Sequence, residues 1–300
     1  MSSPVFHNFP GNALPGDDPL LIRPMRTEDL PLCRRLVSEA GWNQTDEDWL
    51  RAMKLDPDGC LVAESGAAAV GTTTCCRFGE TGWIAMVLVD PAYRGHGIAG
   101  KLVQHAIACM QRAGVKSIRL DATAMGQKVY RKLGFREEYE VIRYEGIAGE
   151  EMPGNALQTV LSTDALMDEV AGLDQKATGT GRRVFLENLD MTKASAYCLK
   201  TDHEGKPEGY AGYRVGRKAV QIGPAAAFTE HAGRAVLDTV LGGFRGSACL
   251  IDIPAENKPA IRWAESRGFK IQRSFIRMYL GEKPLDRPDW IWACSGPEKG

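Results

Sequence analysis

Neither sign of charge dominates this 300-residue chain. Its 37 Lys and Arg face 38 Asp and Glu, for a formal net charge of −1. No excess of one sign therefore marks a nucleic-acid groove or an anionic membrane surface as the partner. Long apolar runs are also missing, and none approaches the roughly 20 residues of a membrane helix. Residues Met1 to Pro19 have neither a basic start nor an apolar core. They do not resemble a secretory signal and read as a flexible N-terminal arm, 1–19, of a cytoplasmic protein. Metal-binding spacing is absent as well. The eight cysteines (Cys33, Cys60, Cys75, Cys76, Cys109, Cys198, Cys249 and Cys294) form no CxxC pair, and only five histidines accompany them. This argues against a zinc cluster and a disulfide framework, and no metal is expected. The reading left is small buried hydrophobes in a reducing compartment.

What is present is the composition of a globular protein, 44% hydrophobic and 25% charged, long enough for two ordinary domains. Leu20–Pro24 reads as a strand. Thr27 caps a helix whose apolar face is Leu30, Leu32, Cys33, Leu36 and Val37, and Gly41 stops it. Thr45 caps a second short helix. Strands follow at Cys60–Ala63, Ala69–Cys76 and Trp83–Val89, separated by Gly-containing turns. A helix from Ile98 to Ala113, a strand Val115–Asp121, a helix Gln127–Leu133 and a strand Phe135–Tyr144 complete the first half. This gives the order β-α-α-β-β-β-α-β-α-β. The Gly- and acid-rich stretch around 147–156 reads as a linker between domains at 20–146 and 157–300. Ala219–Pro224, Glu230–Leu241, Ala248–Ile253, Glu256–Ser266 and Lys270–Leu280 partly repeat the order of the first half.

The most informative stretch is Arg94-Gly95-His96-Gly97-Ile98-Ala99-Gly100, a glycine-rich turn between a strand and a helix. Such a turn aims unpaired N–H groups and the positive end of a helix at one point, which suits a phosphate or pyrophosphate. Read as Gly95-x-Gly97-x-x-Gly100, it matches the dinucleotide fingerprint, with Asp121 near the place of a ribose-binding acid. That fingerprint, however, normally opens a domain directly after its first strand. Here about four secondary-structure elements come first, and Asp90-Pro91-Ala92-Tyr93-Arg94 separates strand from glycine.

The whole stretch Val87 to Ala99, followed in order by Tyr130-Arg131-Lys132-Leu133-Gly134-Phe135, resembles the signatures of the GCN5-related N-acetyltransferase superfamily over about residues 20–145. The resemblance implies an α/β (α+β) fold of tandem domains, each a mixed central sheet flanked by helices. It implies that the pantetheine of acetyl-CoA lies between two splayed strands, Trp83–Val89 and Lys116–Asp121. Backbone groups of Val87, Leu88 and Val89 would bond it, and one N–H would face the oxyanion. The N–H groups from Arg94 through Gly95, His96, Gly97, Ile98 and Ala99 to Gly100 would hold the pyrophosphate. Tyr130 would protonate the departing thiolate of coenzyme A. Where the family often has an asparagine bonding the pantetheine arm, this chain has Thr123.

The general base is not marked. Glu80, Asp121, Glu138 and Glu140 are candidates by neighbourhood, and a water chain is equally compatible. The acceptor wall would fall on Gly41 to Trp49, where Trp42, Asn43 and Trp49, with nearby acids and Asp121, could receive a cationic amine. A capped helix start with packing tryptophans is the alternative for that segment. Cys75 and Cys76 lack a histidine or acid signature for nucleophilic work. In the second half, Ile222 to Thr229 aligns with Val89 to Gly95 and has no Arg-Gly-x-Gly turn. Asn257 stands at the pantetheine-asparagine position and Ala264 at the tyrosine position. The second half thus reads as a degenerate domain that shapes the acceptor pocket, to which it would lend Arg182, Arg183 or Arg277. The expected function is direct N-acetyl transfer from acetyl-CoA to a primary amine of a small-molecule or peptide acceptor, by a monomer or homodimer. A non-catalytic acyl-CoA sensor and an NAD-dependent oxidoreductase are the alternatives from other classes.

Overall fold

Ten elements occupy the first half in the predicted order: β1 (Leu20–Pro24), α1 (Leu30–Ala40), α2 (Asp46–Leu55), β2 (Leu61–Ser65), β3 (Ala68–Phe78), β4 (Thr81–Val89), α3 (Ile98–Arg112), β5 (Ser117–Ala122), α4 (Ala124–Lys132) and β6 (Arg136–Ile147). The second half contains α5 (Asp164–Thr178), α6 (Arg183–Asp190), β7 (Tyr197–Thr201), β8 (Pro207–Val215), β9 (Val220–Ala227), α7 (Glu230–Gly242), β10 (Ala248–Pro254), α8 (Lys258–Ser266), β11 (Lys270–Gly281) and β12 (Ile291–Ala293). The structure, a computed structural model, describes residues 19–149, 164–190 and 197–297. Nearly all of the expected N-terminal arm and most of the expected linker lie outside the described residues.

By internal contacts the chain forms two units. Within unit 1 the strands run β1-β2-β3-β4-β5. β1, β2, β3 and β4 pair antiparallel in turn, and β4 pairs parallel to β5. β3 is buried from Val70 to Cys76, so it reads as a nearly continuous apolar and threonine run. α3 buries Ile98, Leu102, Val103, Ala106 and Met110 along one stripe. Leu36, Val37 and Trp49 bring α1 and α2 into the core. Seven of the eight cysteines are buried and all are free thiols. Among the described residues no helix is long and apolar enough to cross a membrane.

The sheet does not close where the sequence expected. Unit 1 ends with Arg136 and takes in Met278–Lys283 at the end of β11. There the Glu282 N–H donates to the Lys116 carbonyl (3.0 Å) beside β5. β6, expected as the last strand of the first domain, belongs to unit 2. The reason is pairing: residues 141–147 of β6 run antiparallel to β10 from Pro254 back to Ala248. Arg143 and Asp252 face each other in that register and form a buried bidentate pair, with both contacts at 2.7 Å.

Unit 2 orders its strands β11-β6-β10-β9-β8-β7, and β12 pairs with β9 off this path. Its core gathers Trp263, Phe269, Ile222, Ile251, Val236 and Leu237 under α7 and α8. Helices α5 and α6 and strands β7, β8 and β12 have no counterpart in the sequence reading.

Candidate active site

β4 and β5 pair at only three positions: Thr81 with Ser117, Gly82 with Ile118 and Trp83 with Arg119. Beyond Trp83 the parallel ladder stops, so the strands part as the sequence resemblance implied. β4 also carries a bulge. Thr74 pairs with Ala85 and Thr72 with Leu88, so Met86 and Val87 together oppose Thr73. Met86 has φ +48°, a left-handed conformation in a non-glycine residue. Two buried hydroxyls hold this kink. Thr72 Oγ1 donates to the Met86 carbonyl (3.0 Å) and Thr73 Oγ1 to the Ala85 carbonyl (3.1 Å). The bulge turns the backbone of β4 at the residues expected to meet the thioester.

The loop after β4 sets the second part of the site. The Asp90 side chain accepts from the Ala92 N–H (2.9 Å), and a single 3-10 turn spans Pro91–Tyr93. The Arg94 N–H points back to the Pro91 carbonyl (3.4 Å), so the arginine offers its side chain rather than its amide. Arg94 Nε donates to the Val89 carbonyl (3.0 Å), which fixes an exposed guanidinium beside the end of β4. Gly97 is the N-cap of α3, in the left-handed region at φ +76°, and no side chain caps the helix. The first intrahelical bond runs from the Lys101 N–H to the Gly97 carbonyl (3.1 Å). The N–H groups of Ile98, Ala99 and Gly100 therefore lie ahead of the ladder, at the positive end of a 15-residue helix. His96 and Gly95 sit in the same turn, His96 half-buried and Gly95 exposed.

Tyr130 lies on α4, whose N-cap Thr123 accepts from the Gly126 N–H (3.3 Å). Its ring leans back over the first turn of the helix. A Cβ at Gly126 would lie 2.8 Å from Tyr130 Cε2, so the glycine makes room for it. The ring also packs against Phe135 at 6.0 Å between centroids. The residue is half-buried, and burial pushes its phenol up to about 12. The Thr123 oxygen accepts the cap bond and leaves the hydroxyl hydrogen to donate elsewhere.

The expected acceptor segment has a mainly structural arrangement. Trp49 is 1% exposed and belongs to the core, not to a wall facing a ligand. Thr45 and Asp48 form a capping box, Asp48 is buried against Arg51 (2.8 Å), and Asp46 is paired with Arg34. Asn43 is buried, and Trp42 is half-buried. Among the acids, Glu80 is an exposed partner of Lys116 (2.6 Å), and Glu138 and Glu140 belong to unit 2. Asp121 remains, half-buried on β5 beyond the last residue paired with β4. Cys75 and Cys76 are core thiols, and burial pushes Cys75 well up, which removes it as a nucleophile.

Arg182, Arg183 and Arg277 are engaged within unit 2. Arg182 pairs with Asp174 and Arg183 with Glu187, while Arg277 donates to Tyr139 Oη (2.9 Å). The match of the two halves also shifts. Tyr213 pairs with Ile222 and Ala211 with Ala225, so Gly223 and Pro224 form the bulge equivalent to Met86 and Val87. Pro224 thus lies within β9 and corresponds to Val87, not to the loop residue Pro91 with which the sequence alone aligns it. The loop between strand and helix shrinks to Phe228 and Thr229, and Thr229 Oγ1 caps α7 by accepting from the Ala232 N–H (3.1 Å). The open helix end of unit 1 has no counterpart there. The bulge, the Gly126 recess and this shortened loop were not found by sequence reasoning. The run Thr72-Thr73-Thr74 in a buried stretch of β3 was the signal for the first.

Comparison with known proteins agrees with this geometry. The acetyltransferase (GNAT) family profile matches residues 25–135, and a second acetyltransferase (GNAT) domain profile matches residues 170–293. Holothin acyltransferase of a Pseudoalteromonas strain is 23% identical over 285 residues, covering 93% of this chain and 94% of that protein. A Pyrococcus horikoshii structure solved as a candidate acetyltransferase superposes with a TM-score of 0.80 at 23% identity, over 98% of this chain and 100% of that one. A tandem GNAT protein from the clavulanic acid biosynthesis pathway superposes with a TM-score of 0.62 at 16% identity, over 89% of this chain and 100% of that one. At these identities the two structures speak for the fold alone. With both profiles in the right order on two matching folds, this chain is a two-domain member of the GCN5-related N-acetyltransferase family and an acyltransferase.

Proposed function

We propose that unit 1 transfers an acetyl group from acetyl-CoA directly to a primary amine, and that unit 2 lacks the chemistry to do so. The observation that carries the reading is the alignment of three devices on one strand–helix edge. These are the parting of β4 from β5, the bulge at Met86 and the uncapped start of α3 behind Arg94. The residues present fit coenzyme A. Three helix N–H groups and a guanidinium suit a pyrophosphate. Beyond the bulge, alternate backbone groups of β4 face the side that β5 has left, which suits an extended arm that itself carries amides. Bound there, acetyl-CoA supplies the activated acyl group.

The chain's own residues do the rest. An N–H at the β4 bulge, fixed in place by the Thr72 and Thr73 hydroxyls, stabilises the charge that builds on the acyl oxygen as the amine attacks. Tyr130, kept protonated by burial, donates toward the sulfur as it leaves. Thr123 donates to the arm from the cap of α4. Of the four acids considered, Asp121 is the one on a strand of the slot itself, and it takes the proton from the amine. Trp42 and Asn43 remain as the acceptor-side residues of the α1–α2 connection, without Trp49. Retention of Tyr130 favours an enzyme over a sensor, and Arg94 with a five-residue lead-in favours coenzyme A over a dinucleotide.

The test is thiol release from acetyl-CoA against a panel of amines, amino acids, peptides and holothin, the last included because the full-length relative is named for it. Calorimetry with acetyl-CoA and with NAD runs in parallel. Binding of NAD without binding of acetyl-CoA overturns the reading. Asp121→Asn should lower turnover and leave acetyl-CoA affinity unchanged, and unchanged turnover would hand the amine proton to water.

A further inference from the structure

The two units treat the same gap differently. In unit 1, β4 beyond Trp83 has β3 on one side and, among the described residues, no strand on the other. In unit 2, β9 and β10 pair in parallel at three positions, ending at Ile222 with Ile251, and then part in the same way. There the gap holds β12. Ile291 pairs with Ala226 and Ala293 with Ala225, on the residues that correspond by the bulge to Val89 and Leu88. The Cys294 N–H donates across to the Asp252 carbonyl of β10 (2.8 Å), so the segment bonds both walls.

Three further features are shaped to this segment. Asn257, the N-cap of α8, accepts from the Ala260 N–H (3.0 Å) and donates through Nδ2 to the Ile291 carbonyl (2.9 Å). It holds the place that Thr123 holds in unit 1. Gly223, at φ +123°, occupies the bulge, where a Cβ would lie 2.1 Å from the Cys294 carbonyl oxygen. Gly233, in the first turn of α7, would bring a Cβ within 1.9 Å of Trp292, whose indole is 2% exposed. A buried arginine, Arg277, reaches Cys294 Sγ (3.3 Å). A chance packing of this segment does not require two glycines and an asparagine at the points of closest approach.

We propose that the gap of unit 2 is a peptide-strand site, filled by residues 290–294 of the same chain as a built-in substitute for the arm of the acyl donor, and that it takes no acyl-CoA. Extended main chain offers the same alternation of carbonyl and N–H that the walls of the gap require. Trp292 lies against Gly233 in the first turn of α7, and Thr229 and Glu230 already cap and charge the helix start that a phosphate would need. The chain accordingly binds one acetyl-CoA, a count that rests on the acetyl-CoA reading of unit 1.

Calorimetry of the full chain with acetyl-CoA, read together with amide hydrogen exchange, tests this. We expect one acetyl-CoA per chain, with protection gained at residues 95–100. The N–H groups of Ala227 and Cys294 should exchange slowly both before and after the addition. Asn257→Ser keeps the helix cap and loses the donor to Ile291. It should speed exchange about tenfold at residues 225–227 and 291–294 and leave residues 84–100 unchanged. Gly233→Ala should do the same by crowding Trp292. Two acetyl-CoA per chain, or loss of protection at 291–294 on adding acetyl-CoA, overturns the proposal. So does unchanged exchange in both variants. Absence of any acetyl-CoA binding overturns the reading of unit 1 instead, and the two variants then still decide the strand site by exchange alone.

Discussion

In the proposed reaction Tyr130 serves turnover and Arg94 serves binding, and substitution should separate them. Tyr130→Phe removes the donor and keeps the ring against Phe135, so turnover should fall on the order of a hundredfold or more with acetyl-CoA affinity kept. Burial sets a pH signature as well. With the phenol held up at about 12, Tyr130 keeps its proton while the amine loses its own. The rate should rise with the neutral amine and show no descending limb at the ordinary tyrosine value of about 10. A pH–rate profile checks this, and a fall near 10 would point to a solvated phenol. Arg94→Ala should weaken acetyl-CoA binding by about tenfold or more, as expected for losing a charged hydrogen bond. Calorimetry measures it, with turnover at saturation little changed. Both residues stand out in the sequence, because each sits in a local pattern whose residue types match a chemical task, and these variants test that match. For Trp49 the sequence leaves two readings open, because its neighbours Asp46 and Asp48 suit either a ligand-facing wall or a capped helix start with packing tryptophans. In the fold the two acids serve a capping box and two arginines.

At the scale of elements, the contrast between α3 and α7 separates the two halves. Both helices follow a bulged strand, yet one begins at a bare glycine and the other at a capping threonine with an acid beside it. The bulge of β4 depends on two hydroxyls, so its integrity can be tested away from any ligand. Thr72→Val and Thr73→Val each leave a buried carbonyl at Met86 or Ala85 with one partner fewer and should cost about 1–3 kcal/mol. Urea denaturation measures that loss, and turnover should drop further than stability alone explains if the kink aims the oxyanion N–H. The order of the first ten elements followed from hydrophobic periodicity and turn residues, which are local. The bulge did not, because it is a property of register between strands. β7 and β8 escaped for a related reason: strands that carry Gly, Pro and Tyr signal little by themselves and become visible only once paired.

Across the whole molecule, each unit borrows its last strand from the other half of the sequence. Unit 1 needs residues 278–283, and unit 2 needs β6. No sequence pattern announced this, since β6 and β11 look alike locally and either could close either sheet. A chain ending at residue 149 should therefore fail to give a stable unit 1, because β5 lacks the neighbour that contributes Glu282 to Lys116. Circular dichroism and sedimentation of that fragment check the expectation. A well-folded monomer would show that β6 can serve in place of the end of β11. Arg143 and Asp252 make the exchange costly to undo, since separating them strands two buried charges. The exchange also bears on synthesis. At about 5–20 residues per second, the ribosome needs several seconds to half a minute after Arg136 before Lys283 is made. For that interval the half proposed to carry the chemistry must wait on the ribosome with an exposed sheet edge. The nascent chain becomes a competent acyltransferase only once Lys283 has been made, and slowing translation between Arg136 and Lys283 would lengthen its exposure to chaperones and to aggregation.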